Sequence, residues 1–294
     1  MDKMIRGTVL LLGAGGMLGS TFRALCPDVA FQTLSRGELD VSSPRVLLDR
    51  IVGLAPTVII NCAADTNVDR AEADPADAFA VNAVLPGLVA QAARQVNALL
   101  VHFSSTGCYG RHQDGDLLPH SDFEAVFPTT AHHRSKVAGE LAVREAGCRH
   151  LILRLGWLYG GSITHKKNFV WARIRDARSK PELASDPFQT GSPTLVDDVV
   201  RQTLVLLEVG VVGTFNCVAT GAVSRFDYVA RIMELAGLSS HLRPARFKRA
   251  ASVAENEAAV NDKLALMGLN IMPLWDEALA GYVMRLLAEE AESI

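Results

Sequence analysis

A short apolar run followed by a glycine turn stands near the start of the chain and limits what it can fold into. Thr8–Leu12 is apolar and β-prone, and the next residues read Gly13-Ala14-Gly15-Gly16-Met17-Leu18-Gly19, a G-x-x-G-x-x-G spacing. Between a strand and a helix, the first glycine permits the tight turn, the second admits a pyrophosphate and the third lets the helix approach the sheet. The glycines could form a tight turn and nothing more, but the flanking strand and helix favour a dinucleotide site. We therefore predict that Gly13, Gly16, Met17 and Leu18 bind a dinucleotide at the helix N-terminus.

The rest of the chain alternates short apolar runs with helical stretches. Strands are predicted at residues 8–12, 29–34, 57–61, 99–104, 150–155 and 213–218, and helices at 16–25, 78–96, 136–146, 196–209 and 225–236. Strands without polar alternation, separated by helices, indicate a parallel sheet covered on both faces. The fold class is α/β: a Rossmann-type doubly wound parallel sheet with a smaller C-terminal α/β substrate lobe. The expected division is 1–155, with returns at about 195–218, for the dinucleotide-binding domain, and about 156–194 and 219–294 for the lobe.

The end of the second strand bears on which nicotinamide cofactor is bound. It reads Leu34-Ser35-Arg36, where an NAD pocket usually has an acidic residue for the ribose 2′-hydroxyl. A hydroxyl and a guanidinium suit a 2′-phosphate instead. Ser35 and Arg36 therefore predict NADP, with NAD still possible if Arg36 lies only on the surface.

Composition and charge exclude several classes of function. The net charge of -3 gives no general attraction to nucleic acid. One basic cluster, Arg243, Arg246, Lys248 and Arg249, is read as a solvated face or an anion contact. No stretch is expected to reach the roughly 20 apolar residues of a membrane span. We predict a protein that binds neither nucleic acid nor membrane.

The cysteines, histidines and serines exclude other kinds of site. The five cysteines are scattered without CxxC pairing, which argues against zinc and disulfides and fits the cytoplasm. His132 and His133 are adjacent and would point about 100° apart on a helix, with no ligand three or four residues away, so no metal is predicted. The absence of a G-x-S-x-G elbow argues against a hydrolase.

Motifs along nearly the whole chain resemble one family. They are Gly13–Gly19, Arg36–Val41, Asn61–Ala64, Val68–Glu72, Val81-Asn82, His102–Ser105, Lys136–Glu140, Arg154–Tyr159, Asn168-Phe169, Asp186–Thr194 and Asp197-Asp198. Together they resemble the extended short-chain dehydrogenase/reductases, and more narrowly the dTDP-4-dehydrorhamnose reductases.

The resemblance implies an NAD(P)H-dependent reduction of a keto group on a nucleotide-linked deoxysugar. By position, Asp40 and Val41 would fall near the adenine, and Cys62, Ala63 and Ala64 would line the cofactor pocket. It further implies a catalytic Ser105 beside the substrate carbonyl, with Thr106 as the alternative, and Lys136 on the nicotinamide ribose. The substrate-binding residues it implies are Trp157, Asn168, Phe169 and Thr194. For Trp157 and Phe169, ordinary core packing is an equal alternative. The partner would be a small nucleotide-sugar substrate, with a homodimer or a protein partner also possible.

One catalytic position departs from the family pattern. The proton-donating tyrosine stands four residues before the lysine in the family, and here that position is His132. Three interpretations remain open. His132 could be the acid, since imidazole has a pKa near 6.5, although Lys136 one turn away favours the neutral ring. Another group, His133 or Tyr109, could supply the proton. Alternatively, the protein could bind its dinucleotide without catalysis, as a regulatory or partner subunit.

Two further departures concern the substrate. The run Ser104–Gly110 lacks the acidic and aromatic residues that usually follow the hydroxyl pair and, with Tyr109-Gly110, looks more like the sugar-nucleotide epimerases and dehydratases. Near the C-terminus, Lys263-Leu264 is kept, but the Arg-Pro and Asn-Ser that usually precede it are missing. We therefore expect a substrate pocket that differs from that of the rhamnose enzyme, and the deoxythymidine nucleotide is not assured. A sugar-nucleotide epimerase or dehydratase is a further alternative, favoured by Tyr109-Gly110 and disfavoured by the missing tyrosine.

Overall fold

The structure, a computed structural model, describes residues 7–110 and 118–293. The strands are β1 Val9–Leu12, β2 Phe31–Leu34, β3 Val58–Asn61, β4 Leu99–Ser105, β5 Arg149–Leu155, β6 Trp157–Tyr159, β7 Glu182–Ser185, β8 Thr190–Gly191, β9 Pro193–Leu195, β10 Gly213–Cys217, β11 Val223–Ser224 and β12 His241–Pro244. The α-helices are α1 Met17–Leu25, α2 Pro44–Gly53, α3 Val68–Ala73, α4 Ala76–Phe79, α5 Leu85–Gln95, α6 Ala131–Glu145, α7 Phe169–Ser179, α8 Val196–Val209, α9 Arg225–Leu235, α10 Asp262–Leu266 and α11 Trp275–Glu292.

Six strands form one parallel sheet in the order β10-β5-β4-β3-β1-β2. Side chains on its two faces belong to two separate apolar clusters. Helices α1 and α8 contribute to one cluster, and α2, α5 and α6 to the other. A sheet buried on both faces explains why its strands read as unbroken apolar runs. The predicted Rossmann-type α/β fold is confirmed.

A smaller group of elements lies beyond the carboxyl ends of β5 and β10. It consists of three two-stranded pairs, β6 with β9, β7 with β12 and β8 with β11, together with α7, α9 and α11. Its core is aromatic: Tyr159 lies 6.0 Å from Tyr228 and 5.3 Å from Tyr282 between ring centroids. This lobe therefore has its own packed core beside the sheet.

The helix predicted at residues 78–96 is long and apolar. It runs as α4, a π-helical turn at residues 80–84, and α5. Contrary to the sequence expectation, residues 76–95 are long and apolar enough to cross a membrane, with a mean hydropathy of 1.3. In the fold this run packs against α2 and α6, and 56% of its most apolar window is buried. It serves as a core helix of the layer covering the sheet.

Helix α6 begins earlier than predicted, at Ala131 rather than Lys136. Thr130 supplies the start, because its hydroxyl accepts a hydrogen bond from the His133 backbone N–H at 3.1 Å. The ring of His132 and the ammonium of Lys136 consequently lie one turn apart on the same helix.

Candidate functional site

The glycine turn between β1 and α1 has the geometry that a dinucleotide needs. Gly13 has φ +73°, and a Cβ there would lie 2.7 Å from the backbone of Cys62 and Ala63. A Cβ on Gly19 would lie 2.3 Å from the Gly13 carbonyl oxygen. Helix α1 is preceded by Gly16, which offers no side-chain cap to its first N–H groups. These N–H groups are therefore free to bind phosphate oxygens.

A cavity of about 820 Å³ opens in front of this turn, and we name it the cofactor cavity. Among the residues predicted for the site, nine line it: Gly16, Met17, Leu18, Cys62, Ala63, Ala64, Ser105, His132 and Lys136. Small side chains after β3 and unoccupied N–H groups at α1 fit a flat dinucleotide lying across the carboxyl edge of the sheet.

The residues predicted to contact the adenosine end lie outside the cavity lining. Arg36 follows β2 and is exposed, with no ion pair or hydrogen bond of its side chain to the rest of the described chain. The nearby Glu38 carboxylate is already engaged by the Ser35 backbone N–H and by Arg50. Asp40 bonds the Ser42 backbone N–H at 2.9 Å, and Val41 packs on the sheet cluster. The guanidinium of Arg36 is thus the cation available at this end.

Ser105, His132 and Lys136 meet in the cofactor cavity from two elements, the end of β4 and the start of α6. The Ser105 hydroxyl oxygen accepts the Gly107 backbone N–H at 3.2 Å, which leaves its own O–H to be donated. The Lys136 ammonium donates to the Phe103 carbonyl oxygen at 2.6 Å. Burial lowers the pKa of Lys136 to about 8, against the opposing effect of Glu140. At neutral pH the lysine therefore still carries its proton.

His132 is in a different protonation state. Burial, together with His133 and Lys136, lowers its pKa to about 3, although a backbone hydrogen bond to Asp65 opposes the shift. Its buried Nδ1 has no hydrogen-bond partner among the described residues. The Asp65 backbone is held by Asn82, which accepts its N–H at 2.9 Å and donates to its carbonyl at 3.0 Å. The ring is therefore neutral at pH 7, unlike the free imidazole on which the sequence argument rested.

A second cavity of about 320 Å³ continues from the first into the lobe, and we name it the lobe cavity. It shares Thr66, Ser105, His132, Gly156 and Leu158 with the cofactor cavity. Trp157 and Phe169, both predicted for the substrate, line it. The two cavities together give a continuous site in which a ligand in the lobe reaches the serine and histidine.

Three predicted substrate residues line neither cavity, since their polar atoms are bonded within the protein. The Thr106 hydroxyl donates to the Glu257 carbonyl at 2.8 Å, and that of Thr194 to the Ser192 carbonyl at 2.9 Å. The Asn168 amide caps α7 and donates to the Tyr282 hydroxyl at 2.7 Å. These residues support the walls of the site, and a direct substrate contact by them stays a prediction.

The other candidate acids occupy different positions. The Tyr109 hydroxyl is buried between Asn216, at 2.7 Å, and Arg154, at 3.0 Å, and lines neither cavity. His133 lines the lobe cavity, and burial lowers its pKa to about 4. Its ring occupies the space of a missing side chain: a Cβ on Gly107 would lie 2.2 Å from its Nε2 and Cε1. The His133 ring thus fills the space beside Gly107, in the 104–110 run that departs from the family pattern.

Several lobe residues line the second cavity without having been predicted there. They are Gln189, Arg225, Arg249 and Glu257. Arg249 belongs to the basic cluster read as a solvated face or an anion contact, and Gln189 lies in the Asp186–Thr194 motif, whereas Arg225 and Glu257 carried no signal. Arg243 and Arg246 of that cluster pair instead with Glu182 and Glu255. Among the described residues, no three histidine, cysteine or acidic side chains come together to hold a metal.

Comparison with known proteins covers both sequence and structure. Residues 7–288 match the family model of the RmlD substrate binding domain. A dTDP-4-dehydrorhamnose reductase of Mycobacterium tuberculosis (strain H37Rv) is 34% identical over 284 residues, covering 92% of this chain and 91% of the relative. The Escherichia coli K12 enzyme of the same name is 34% identical over 236 residues, covering 77% of each.

Solved structures agree with these relatives. The dTDP-4-dehydrorhamnose reductase of Bacillus anthracis in complex with NADP has a TM-score of 0.89 and 29% identity, covering 96% of this chain and 100% of that one. A Thermus thermophilus UDP-glucose 4-epimerase complexed with NAD has a TM-score of 0.78 at 21% identity, covering 95% and 99%, and shares the fold.

Proposed function

Because the chain belongs to the family of the RmlD substrate binding domain, we propose that it is an NADPH-dependent oxidoreductase that reduces a keto group on a nucleotide-linked deoxysugar. The observation that carries the proposal is the meeting of Ser105, His132 and Lys136 in a cavity that begins at the glycine turn. Relatives at 34% identity are dTDP-4-dehydrorhamnose reductases, and a structural neighbour at 29% identity binds NADP.

The residues present fit the cofactor that the family uses. Gly13, Gly16 and the free N–H groups of Met17 and Leu18 would hold the pyrophosphate, and Arg36 the 2′-phosphate. When bound, NADPH supplies the hydride for the keto carbon. Lys136 would also lie against the nicotinamide ribose.

The proton has to come from the protein side of the site. Ser105 donates its O–H to the keto oxygen, as the Gly107 N–H already occupies a lone pair of the serine oxygen. Lys136 is the group among these three that is cationic at pH 7, and we assign the proton to its Nζ. His132 acts beside it as a neutral ring whose Nδ1 accepts a hydrogen bond from a substrate hydroxyl.

The pH dependence of NADPH oxidation tests this assignment. We would measure kcat/KM from pH 5.5 to 9.5 with dTDP-, GDP- and UDP-4-keto-6-deoxysugars. If Lys136 is the acid, the rate is level to about pH 7.5 and falls above about pH 8, since the lysine then loses its proton. If His132, with a pKa of about 3, were the acid, the rate would fall about tenfold per pH unit across the whole neutral range.

Variants of His132 distinguish a catalytic reductase from a protein that binds NADPH without catalysis. We expect His132→Ala to lower kcat/KM by about 10- to 100-fold while NADPH binding is kept, and His132→Tyr to restore or exceed the parent rate. Tight NADPH binding without turnover of any substrate, even by His132→Tyr, would contradict the proposal and favour the regulatory or partner subunit.

Two finer expectations also belong here. A cytoplasmic location is supported by five free cysteines, four of them buried, none of which forms a disulfide. A homodimer, or a complex with a protein partner, stays a prediction of the sequence.

A further inference from the structure

The lobe cavity contains a guanidinium, that of Arg225, whose side chain has no hydrogen-bond or ion-pair partner among the described residues. Arg225 stands at the start of α9, and its Cζ lies 3.4 Å from the centroid of the Trp157 ring. Among the described residues, its side chain makes no hydrogen bond and no ion pair. Burial of the group lowers its pKa to about 10. A desolvated cation that the fold leaves unpaired is costly, and such groups are retained where an anion binds.

One acidic side chain of the lobe cavity, Glu257, is hydrogen-bonded to the same tryptophan. The Glu257 carboxylate accepts the Trp157 Nε1–H at 2.8 Å, along the edge of the indole, whereas Arg225 lies over its face. Gln189 lies 3.5 Å from the same carboxylate oxygen, and His133 Nε2 lies 3.8 Å from the other. Burial raises the pKa of Glu257, while the hydrogen bond from Trp157 and the charges of Arg225 and Arg249 act in the opposite direction. Glu257 thus makes its hydrogen bonds with Trp157 and Gln189 and acts on Arg225 only through its charge, so the guanidinium N–H groups have no hydrogen-bond acceptor among the described residues.

Two guanidinium groups and one carboxylate line the lobe cavity. Glu257 is the one acidic residue among those that line it, and Arg249 brings a second guanidinium. Arg249 is itself paired with Asp69 at 3.1 Å, so Arg225 remains the unshared cation. His132 and His133 are neutral at pH 7. The cavity thus favours an anionic ligand near Trp157.

We propose that Arg225, laid flat on Trp157, binds an oxyanion carried by the substrate, either the diphosphate of the nucleotide or a carboxylate on the sugar. The planar guanidinium offers two parallel N–H groups, which match two oxygens of either anion. Ser105 and His132 line the same cavity, so the anion and the reacting keto group sit on one ligand. This inference rests on the proposed function for its choice of substrate.

Calorimetric measurement of the binding of two probes to the full chain tests the inference without requiring turnover. The probes are dTDP and glucuronate, each titrated into parent protein, Arg225→Met and Arg225→Lys in the presence of saturating NADPH. Methionine at position 225 keeps an apolar side chain on the indole but removes the positive charge. Lysine keeps the charge but lacks the two parallel N–H groups of the guanidinium. Arg246→Met is the matched control, because Arg246 also lies over a ring, that of Phe188 at 4.3 Å, but on the surface.

If the diphosphate is the anion, Arg225→Met weakens dTDP binding by about 30-fold or more and Arg225→Lys by about fivefold, while Arg246→Met changes nothing. If the carboxylate is the anion, the same ranking appears with glucuronate instead. Unchanged affinity of Arg225→Met for both probes overturns the inference, as does failure of both probes to bind the parent protein. NADPH affinity and thermal unfolding, expected to be unchanged, check that the variants fold. A chain that binds dTDP through Arg225 but never oxidises NADPH would overturn the proposed function and keep this inference.

Discussion

The two halves of the site are built in different ways. The cofactor cavity is formed by one continuous motif, β1, the glycine turn and α1, with small residues after the neighbouring strand β3. The lobe cavity is formed by side chains from α6, β6, α9 and the 249–257 segment, which are far apart in the chain. The first half follows the family pattern, whereas the second departs from it at His132 and in the run 104–110.

The difference reflects what each half has to recognise. A pyrophosphate is bound by backbone N–H groups, and the backbone can approach it only where a Cβ is missing, so the glycines are tightly constrained. A sugar is bound by side chains. Two side chains in contact can be substituted together as long as their combined volume still fills the space. Gly107 and His133 illustrate such an exchange, because the histidine ring occupies the room that a side chain at 107 would need.

The largest effect is expected in the cofactor half, at Gly19. In Gly19→Ala the new Cβ would lie 2.3 Å from the Gly13 carbonyl oxygen and 2.7 Å from the Ala14 Cα, so α1 must move away from the turn. We expect NADPH affinity to fall by more than about 100-fold and the protein to lose about 2–3 kcal/mol of stability. Fluorescence titration with NADPH and urea unfolding measure both.

Gly15→Ala is the control in the same turn, since a Cβ there meets nothing within 4 Å. We expect its free energy of unfolding to match the parent's within about 0.5 kcal/mol. Equal losses of stability in both variants would show that the turn does not depend on close approach at Gly19.

A smaller effect, this time in the lobe half, is expected from a double-mutant cycle at Gly107 and His133. Gly107→Ala alone is overpacked against the imidazole, and His133→Ala alone leaves a void beside Gly107. The double variant removes the clash with the imidazole and fills part of the void, while the Glu257 Oε1 atom, 2.6 Å from the new Cβ, still has to shift. We expect it to be more stable than the sum of the single effects by about 1–2 kcal/mol. Urea unfolding of the four proteins gives the coupling energy.

The matched pair for this cycle is Gly37→Ala with His133→Ala. A Cβ on Gly37 meets nothing within 4 Å, and its effect should add to that of His133→Ala. A coupling energy of zero between Gly107 and His133 would mean that the residues at these two positions affect stability independently.

How far the sequence could predict the molecule follows the same division. The strands of the sheet and most of its helices were predicted because periodicity and glycine spacing are local: α8 begins and ends at the predicted residues 196 and 209. Helix α2, which packs on the sheet, was not predicted. The start of α6 was missed because Thr130, which caps it, stands outside the apolar pattern. Arg225 and Glu257 were not predicted, since nothing local says that Trp157 will bring them together. The lowered pKa of His132 depends on burial, which a sequence does not give.

The smallest effect is expected at the outer edge of the cofactor half, at Arg36. This exposed side chain follows β2 and is not paired within the described chain, which leaves it free to bind a 2′-phosphate. We expect Arg36→Gln to weaken NADPH binding about tenfold at low salt and by less at high salt, because an exposed ion pair is screened. NADH affinity should not change, since NADH lacks the phosphate. Arg45→Gln, which removes an exposed arginine paired with Asp49 on α2, controls for net charge. If Arg36→Gln weakened both cofactors equally, Arg36 would contribute to the fold of the turn rather than to the choice of NADP, and the cofactor half would be set by its backbone alone.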